Sequence, residues 1–225
     1  MKIIMLTVCT LLCTLCCGQS LIMDIIDPNR SNMALQSGVG TKGNLFDVYL
    51  TDWVMGYIYY GSKKEDKKLR YNAYKDVVHI MNAQGQEIVI EKGQVEAFSL
   101  VDKDKEYKFK LITDIPKVGF GYVQVIYEGK VKVYYRHSRK EKKSISGTEG
   151  YASNKPEDQF IEDNAFVIEL PNSKKYLTRA RKKDIIAIFS DRKKEIEEYI
   201  KTKKLDTQKL QDLMEVVQQY EAYLN

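Results

Sequence analysis

Residues 122–135 read YVQVIYEGKVKVYY, and this stretch decides the fold class. Two runs of β-branched and aromatic residues, at 122–127 and 131–135, flank the turn-forming pair Glu128 and Gly129. Strong β-formers on both sides of a short glycine-bearing turn predict an antiparallel hairpin. A parallel pair would need a crossover of helical length, and no such segment lies between the two runs.

Short β runs and turns extend on both sides of this hairpin. Residues 53–60 are apolar and aromatic, with Gly56 placed to permit a bulge, and residues 61–68 read as a charged turn. Further β runs cover residues 69–74, 76–81, 87–90, 94–101, 107–111, 165–170 and 174–177. This spacing predicts an antiparallel β-meander over residues 44–179, either curled or barrel-like. A polar stretch at 138–163 predicts a long exposed loop within it.

After Thr178 the apolar pattern changes to a helical period. One helical face collects Ile185, Ile188, Phe189, Ile196, Tyr199 and Ile200. Asp206 is placed to cap a final helix, with Leu205 and Leu210 as a hydrophobic staple around it. The apolar stripe of that helix consists of Leu213, Met214, Val217, Tyr220 and Leu224. We therefore predict the α+β class, with residues 180–225 as two or three amphipathic helices packed on the β domain. A docking or dimerising face is the alternative.

The amino-terminal residues predict export. Lys2, an apolar run at 3–17 and the small residue Gly18 have the build of a secretory signal peptide, cleaved near Gly18 or Gln19. All four cysteines, Cys9, Cys13, Cys16 and Cys17, lie in this segment. Cleavage removes them, so the mature domain is expected to hold together by packing. A lipid anchor on a cysteine is the alternative. Residues 20–43 predict a flexible arm, and no later apolar run reaches the roughly 20 residues of a membrane-spanning helix.

Basic residues concentrate in two stretches. Residues 130–143 carry seven Lys and Arg against one acid, and residues 174–183 carry six against none. If the two stretches adjoin, they form a basic face that attracts phosphate, anionic glycans or anionic lipid head groups. A solvated surface that keeps the protein soluble is the alternative. The candidate contact residues are Tyr134, Tyr135, Arg136, Arg139, Lys140 and Lys143. Export makes nucleic acid a poor partner, and no nucleic-acid motif is present.

Neither a catalytic nor a metal-binding motif stands out. His79 and His137 are the only histidines and lie far apart in the chain, so a zinc site is not predicted. Residues 102–106 alternate acids as a calcium loop does, but Tyr107 and Thr113 stand where that loop needs Gly and Glu. We predict no catalytic residue, no cofactor and no metal. A distant pair of carboxylates that acts in glycoside hydrolysis is the alternative.

Two blocks of the chain together resemble a known group of proteins. The first block consists of Gly43-Asn44-Leu45, Trp53, Gly56, Leu69-Arg70-Tyr71-Asn72 and Val95-Glu96-Ala97-Phe98. The second consists of Ile185-Ile186-Ala187-Ile188-Phe189-Ser190-Asp191, Tyr199-Ile200, Leu205 and the tyrosine-rich final helix. The blocks resemble those of a group of uncharacterised exported proteins of Gram-negative bacteria. This resemblance implies a periplasmic or outer-membrane-associated β-rich protein with a helical tail. It implies no activity, cofactor or catalytic residue.

Three functions are consistent with these features. We expect an exported, non-enzymatic binding or interaction module of the cell envelope, because a tyrosine-rich sheet and a basic edge occur without a catalytic motif. Its partner would be an envelope protein, an anionic glycan or a lipid head group. One alternative is an envelope hydrolase with an unrecognised carboxylate site. The other is a structural envelope component that forms a homodimer.

Overall fold

The computed structural model of the chain describes residues 48–102, 105–142 and 159–224. The predicted signal peptide and arm lie outside them. In the described ranges the strands are β1 Val54–Tyr60, β2 Lys63–Asn72, β3 Val77–Met81, β4 Glu87–Ile90, β5 Ala97–Asp102, β6 Lys105–Ile115, β7 Gly119–Glu128, β8 Lys132–Arg136, β9 Arg139–Lys142, β10 Gln159–Glu162, β11 Ala165–Glu169 and β12 Lys175–Thr178. The helices are α1 Lys182–Ile188, α2 Lys193–Lys203 and α3 Leu210–Tyr223.

Ten of these strands form one antiparallel sheet in the order β12-β11-β8-β7-β6-β5-β1-β2-β3-β4. Strands β9 and β10 pair with each other as a separate two-stranded ribbon. The predicted α+β class, with an antiparallel meander and carboxy-terminal helices, is confirmed. The sheet is open, since β4 and β12 stand at its two ends. The barrel-like alternative is therefore wrong for the described strands.

Aromatic packing curls the first half of the sheet. Tyr71, Phe98, Phe109 and Tyr122 lie on one face, and the rings of Phe98 and Phe109 stack with centroids 4.7 Å apart. The Tyr122 hydroxyl on β7 donates to the carbonyl oxygen of Val95, in the β4–β5 connection, at 2.8 Å. The rings of Tyr71 on β2 and Tyr122 on β7 lie 6.4 Å apart, although three strands separate β2 from β7 in the sheet. The sheet therefore bends around this aromatic core.

The three helices pack against the other half of the sheet. Val133 on β8 and Ile168 on β11 belong to the same buried cluster as Ile185 and Leu213 from the helices. Phe189 and Tyr220 stack within that cluster with ring centroids 4.2 Å apart. The opposite face of these strands carries a third apolar cluster that includes Tyr134 and Val167. Both faces of β8 and β11 are therefore buried.

Two predictions about the first hairpin are wrong. The turn consists of Gly61 and Ser62 alone, and the charged residues from Lys63 onward belong to β2. Charged side chains are tolerated there because this end of the hairpin extends beyond the core. Gly56 makes no bulge, since the register of β1 runs through it without a shift on both sides. A Cβ at Gly56 would lie 2.0 Å from the carbonyl oxygen of Ser99, so close approach of strands requires glycine there.

The predicted cap of the last helix is also wrong. Helix α3 begins at Leu210, and Asp206 instead lies in the preceding turn, where its carboxylate accepts the backbone N–H of Gln208 at 3.2 Å. Thr207 anchors this turn, because its buried hydroxyl donates to the carbonyl oxygen of Ala180 at 2.6 Å. Leu210 is 42% exposed, so it does not form the hydrophobic staple.

A buried carboxylate joins three parts of the sheet. Asp76, in the turn between β2 and β3, accepts hydrogen bonds from the Tyr71 hydroxyl at 2.7 Å and from the Tyr122 backbone N–H at 3.2 Å. Its second oxygen accepts from the Lys92 ammonium at 2.8 Å. Asp76 has a positive φ of 59°, which Asp adopts more readily than most residues. This network fixes β2, β7 and the β4–β5 connection to one another.

Within the segment 138–163, which the sequence predicts as a loop, both ends form strands. Residues of β9 and β10 pair in register from Arg139 with Glu162 to Lys142 with Gln159. Phe160 is buried, and its ring contacts Tyr74 at a centroid distance of 4.8 Å. Residues 143–158 lie outside the described ranges.

Candidate functional site

The structure separates the contact residues that the sequence predicts. Tyr134 is 1% exposed and packs in the third apolar cluster, so it cannot contact a ligand at the surface. Tyr135 points to the other face, because neighbouring residues of a strand alternate, and it packs against Phe166. Arg136 is half-buried, and Lys143 lies outside the described residues. The predicted set is therefore not one exposed surface.

The two basic stretches do adjoin, but acids lie between them. Glu169 on β11 pairs in register with Lys132 on β8 and with Lys175 on β12. Its carboxylate lies 2.7 Å from the Lys132 ammonium and 4.0 Å from the Lys175 ammonium. This carboxylate offsets much of the positive charge where the two stretches meet.

Acids of the ribbon pair with other members of the predicted face. Glu162 lies 3.0 Å from the Arg139 guanidinium, and Asp163 lies 3.2 Å from the Lys140 ammonium. Asp163 also forms an ion pair with Arg179. The sequence could not show these pairs, because the acids follow the segment 143–158 and come near the basic residues only through strand pairing.

His137 lies partly buried beside this region. Its ring contacts Tyr135 and Phe109 at centroid distances of 4.8 and 5.7 Å. Burial, and then the positive charge of Arg139, lowers the pKa of His137 to about 4. The imidazole is neutral at pH 7, and its Nε2 lies 2.7 Å from the Gln124 side-chain oxygen, to which it donates in that tautomer. This histidine is a partly buried side chain packed against two aromatic rings.

A different surface presents methionine, half-buried tyrosine and exposed lysine side chains together. Met55, Tyr57 and Tyr59 alternate along β1 on the face opposite the aromatic core, and Met55 is 56% exposed. Register places Lys68 opposite Met55 and Lys64 opposite Tyr59 on β2. Lys108 on β6 lies on the same face, opposite Ser99, which is itself opposite Tyr57. We call this set the β1 surface: Met55, Tyr57, Tyr59, Lys64, Lys68 and Lys108.

The lysines of the β1 surface differ from those of the predicted face in their partners. Lys64, Lys68 and Lys108 are exposed and make no ion pair with any residue in the described ranges. The Lys64 ammonium lies 3.4 Å from the centroid of the Tyr57 ring, a cation–π contact. The surface also carries two acids, Asp66 opposite Tyr57 and Glu106, which accepts a long hydrogen bond from the Tyr59 hydroxyl at 3.4 Å.

Arg70 lies at one end of the β1 surface, and its neighbours hold it in a fixed position. The Arg70 guanidinium donates to both carboxylate oxygens of Glu87, at 2.8 and 3.0 Å. The rings of Tyr49 and Trp53 cover it, with centroids 3.7 and 4.5 Å from its central carbon. Arg70 lies two residues from Lys68 on β2 and therefore on the same face.

His79 completes this cluster. Its Nδ1 hydrogen-bonds Glu87. Burial lowers the pKa of His79, although the hydrogen bond to Glu87 acts to raise it. Burial opposes ionisation of Glu87, yet hydrogen bonds from Arg70 and His79 outweigh it and lower the pKa of Glu87. The pair is therefore a neutral His79 imidazole whose Nδ1–H donates to the Glu87 carboxylate. The Nε2 atom of His79 has no hydrogen-bond partner in the described part of the chain.

The sequence contained one indication of the β1 surface. Residues 53–59 alternate aromatic or Met side chains with smaller ones, which is typical of a strand with one distinctive face. The lysines that complete the surface were hidden, because residues 61–68 read as a turn when they belong largely to β2. Lys108 is added only by the pairing of β5 with β6.

Comparisons with known proteins give no relative. No family model, no curated protein and no solved structure matches the chain. None of the described helices is long and apolar enough to cross a membrane. Across residues 48–102, 105–142 and 159–224, no group of three or more His, Cys, Asp or Glu side chains is arranged to hold a metal ion. The protein's own residues are the basis for inferring its function.

Proposed function

We propose that the protein is an exported, non-enzymatic binding module of the cell envelope that binds an anionic envelope component through its β1 surface. The observation that carries the proposal is the row of exposed Met55 and half-buried Tyr57 and Tyr59, beside exposed lysines that make no ion pair with a described residue. A patch of partly exposed aromatic and sulfur-containing side chains marks an interaction site, because leaving such surface in water is unfavourable. Export is supported by the signal-peptide features of residues 1–19.

The β1 surface replaces the contact set predicted from sequence. On the predicted face, Arg139 and Lys140 already have carboxylate partners, and Tyr134 is buried. A ligand there would have to displace these acids. On the β1 surface the lysine ammonium groups are exposed, so an anionic partner gains contacts without breaking an ion pair.

Sedimentation with purified cell envelopes tests the proposal. The mature chain is mixed with envelopes and centrifuged, and the bound fraction is compared for K64E/K68E/K108E and for K182E/K183E/K194E. The second variant makes the same charge change on exposed lysines of the helical segment. We expect the first variant to lose binding and the second to keep it. Equal loss in both variants, or no sedimentation of the unmodified chain, would overturn the proposal.

Charge reversal of Arg136, Arg139 and Lys140 is a further control, because it addresses the surface predicted from sequence. We expect envelope binding to persist in this variant when far-UV circular dichroism shows that it is folded. Loss of binding here, with binding retained in K64E/K68E/K108E, would return the site to the predicted face.

A further inference from the structure

We infer that the ligand of the β1 surface is an anionic glycan, a linear chain of sugar rings that carries carboxylate or sulfate groups. This inference rests on the proposed function and adds the chemical class of the ligand. Three observations support it: the backbone pairing of β1, the linear arrangement of its outward-facing side chains and the mixed charge of the surface.

The backbone pairing of β1 restricts how a partner can bind. Strand β1 lies between β2 and β5 and is paired with both along its length. Its backbone N–H and C=O groups are therefore committed to the sheet, and a peptide cannot add to it as a further strand. Recognition must use side chains that stand out from the sheet face.

The side chains of β1 form a straight row. Met55, Tyr57 and Tyr59 are alternate residues of one strand, so they stand about 7 Å apart along a line. The C–H faces of sugar rings pack on aromatic rings and on thioethers, while the hydroxyl groups at the ring edges stay hydrated or bond to tyrosine hydroxyls. A linear row of this kind fits an elongated chain of rings better than a compact ligand.

The charges of the surface favour a glycan over a lipid bilayer. Lys64, Lys68 and Lys108 offer three ammonium groups, but Asp66 and Glu106 lie among them. A membrane rich in anionic lipid presents a dense negative surface, and both acids would be repelled by it. An anionic glycan presents separated charges and many hydroxyl groups, which donate hydrogen bonds to such carboxylates.

Calorimetric titration of the mature chain tests the inference. The probes are a polyuronate and a neutral glucan of matched length, with vesicles of anionic phospholipid as a third probe. We expect the polyuronate to bind, with an affinity that falls as salt is raised because the ammonium groups are exposed. The neutral glucan and the vesicles should not bind at the same protein concentration.

Variants locate the binding. K64E/K68E/K108E should weaken polyuronate binding about tenfold, since three exposed charge contacts are each reversed. Y57T/Y59T keeps strand-forming residues and should also weaken binding. K182E/K183E/K194E and Y74T are the matched controls, and each should bind as the unmodified chain does.

Several results would overturn the inference. Equal binding of the neutral glucan would remove the role of charge, and binding to vesicles without polyuronate would identify lipid as the ligand. Absence of polyuronate binding, while envelope sedimentation still depends on the β1 surface, would refute the glycan and leave the proposed function standing. Absence of polyuronate binding together with loss of envelope sedimentation that depends on the β1 surface would refute both the inference and the proposed function.

Discussion

Replacing Asp76 with alanine should be among the most destabilising substitutions in this protein. The change leaves the buried Tyr71 hydroxyl and the buried Tyr122 N–H without their acceptor. It also leaves the Lys92 ammonium without its ion-pair partner at 2.8 Å. An unsatisfied buried polar group costs about 1–3 kcal/mol, and removal of one partner of a buried ion pair costs about 3–5 kcal/mol.

The expected magnitude is set by the geometry of the site and a matched control. Lys92 keeps some contact with water, so the ion-pair cost falls at the lower end of that range. Asp114 has a φ of 57°, close to the 59° of Asp76, but it is exposed. D114A therefore measures the cost of placing alanine in the left-handed region, about 1 kcal/mol. We expect D76A to lower the free energy of unfolding by about 4 kcal/mol more than D114A.

Urea unfolding at pH 7, followed by far-UV circular dichroism, gives both free energies. D76N is a second variant that can be measured if D76A does not fold, because asparagine tolerates a positive φ. Its remaining oxygen can still accept from Tyr71 and Tyr122, but it carries no charge for Lys92. We expect D76N to lower the free energy of unfolding by about 2 kcal/mol. A difference below about 1 kcal/mol between D76A and D114A would refute the role assigned to the network.

Three further predictions concern other parts of the fold. Burial lowers the pKa of His137 to about 4, so as pH falls this histidine is protonated in the unfolded chain before it is protonated in the folded chain. The free energy of unfolding should therefore decrease by about 3 kcal/mol between pH 6.5 and 4. H137Q should have a shallower pH dependence of unfolding over that interval, and identical slopes would contradict this. G56A should lower the free energy of unfolding by more than about 2 kcal/mol, because its Cβ meets a backbone carbonyl at 2.0 Å. Gly61 has a φ of 56° and open space around it, so G61A should lower the free energy of unfolding by only about 1 kcal/mol. Similar melting temperatures for G56A and G61A would count against the close approach of strands at Gly56. In chemical denaturation, L213A should lower the free energy of unfolding by about 2–5 kcal/mol and L210A by less than about 0.5 kcal/mol, because only Leu213 is buried. Equal decreases for the two variants would refute the packing of α3.

The fold class could be predicted because its determinants are local. The hairpin at 122–135 contains strong β-formers around a glycine-bearing turn, and the structure has β7 and β8 there. The helical period after Thr178 corresponds to three helices with buried Ile185, Ile196 and Leu213. The errors at 61–68 and at Asp206 arose where charged residues form regular structure beyond the core or stabilise a turn instead of a helix.

The candidate surface could not be predicted in the same way. Whether a lysine is available to a ligand depends on which acid lies across from it, and register alone decides that. Glu169 meets Lys132 and Lys175 because β11 lies between β8 and β12. Residue spacing in the sequence contains no such information, since the partners lie up to 37 positions apart.

The sequence by itself determined the antiparallel meander, the helical tail and the segments in which each begins, because strand, turn and helix preferences act over a few neighbouring residues. Only the tertiary structure decided that Tyr134 is buried, that the basic stretches are paired with acids, and that Met55, Tyr57 and Tyr59 share a face with exposed lysines. Exposure and charge pairing depend on the curl of the sheet and on strand order. Both are set by contacts between residues far apart in the chain, such as the hydrogen bond from Tyr122 to Val95.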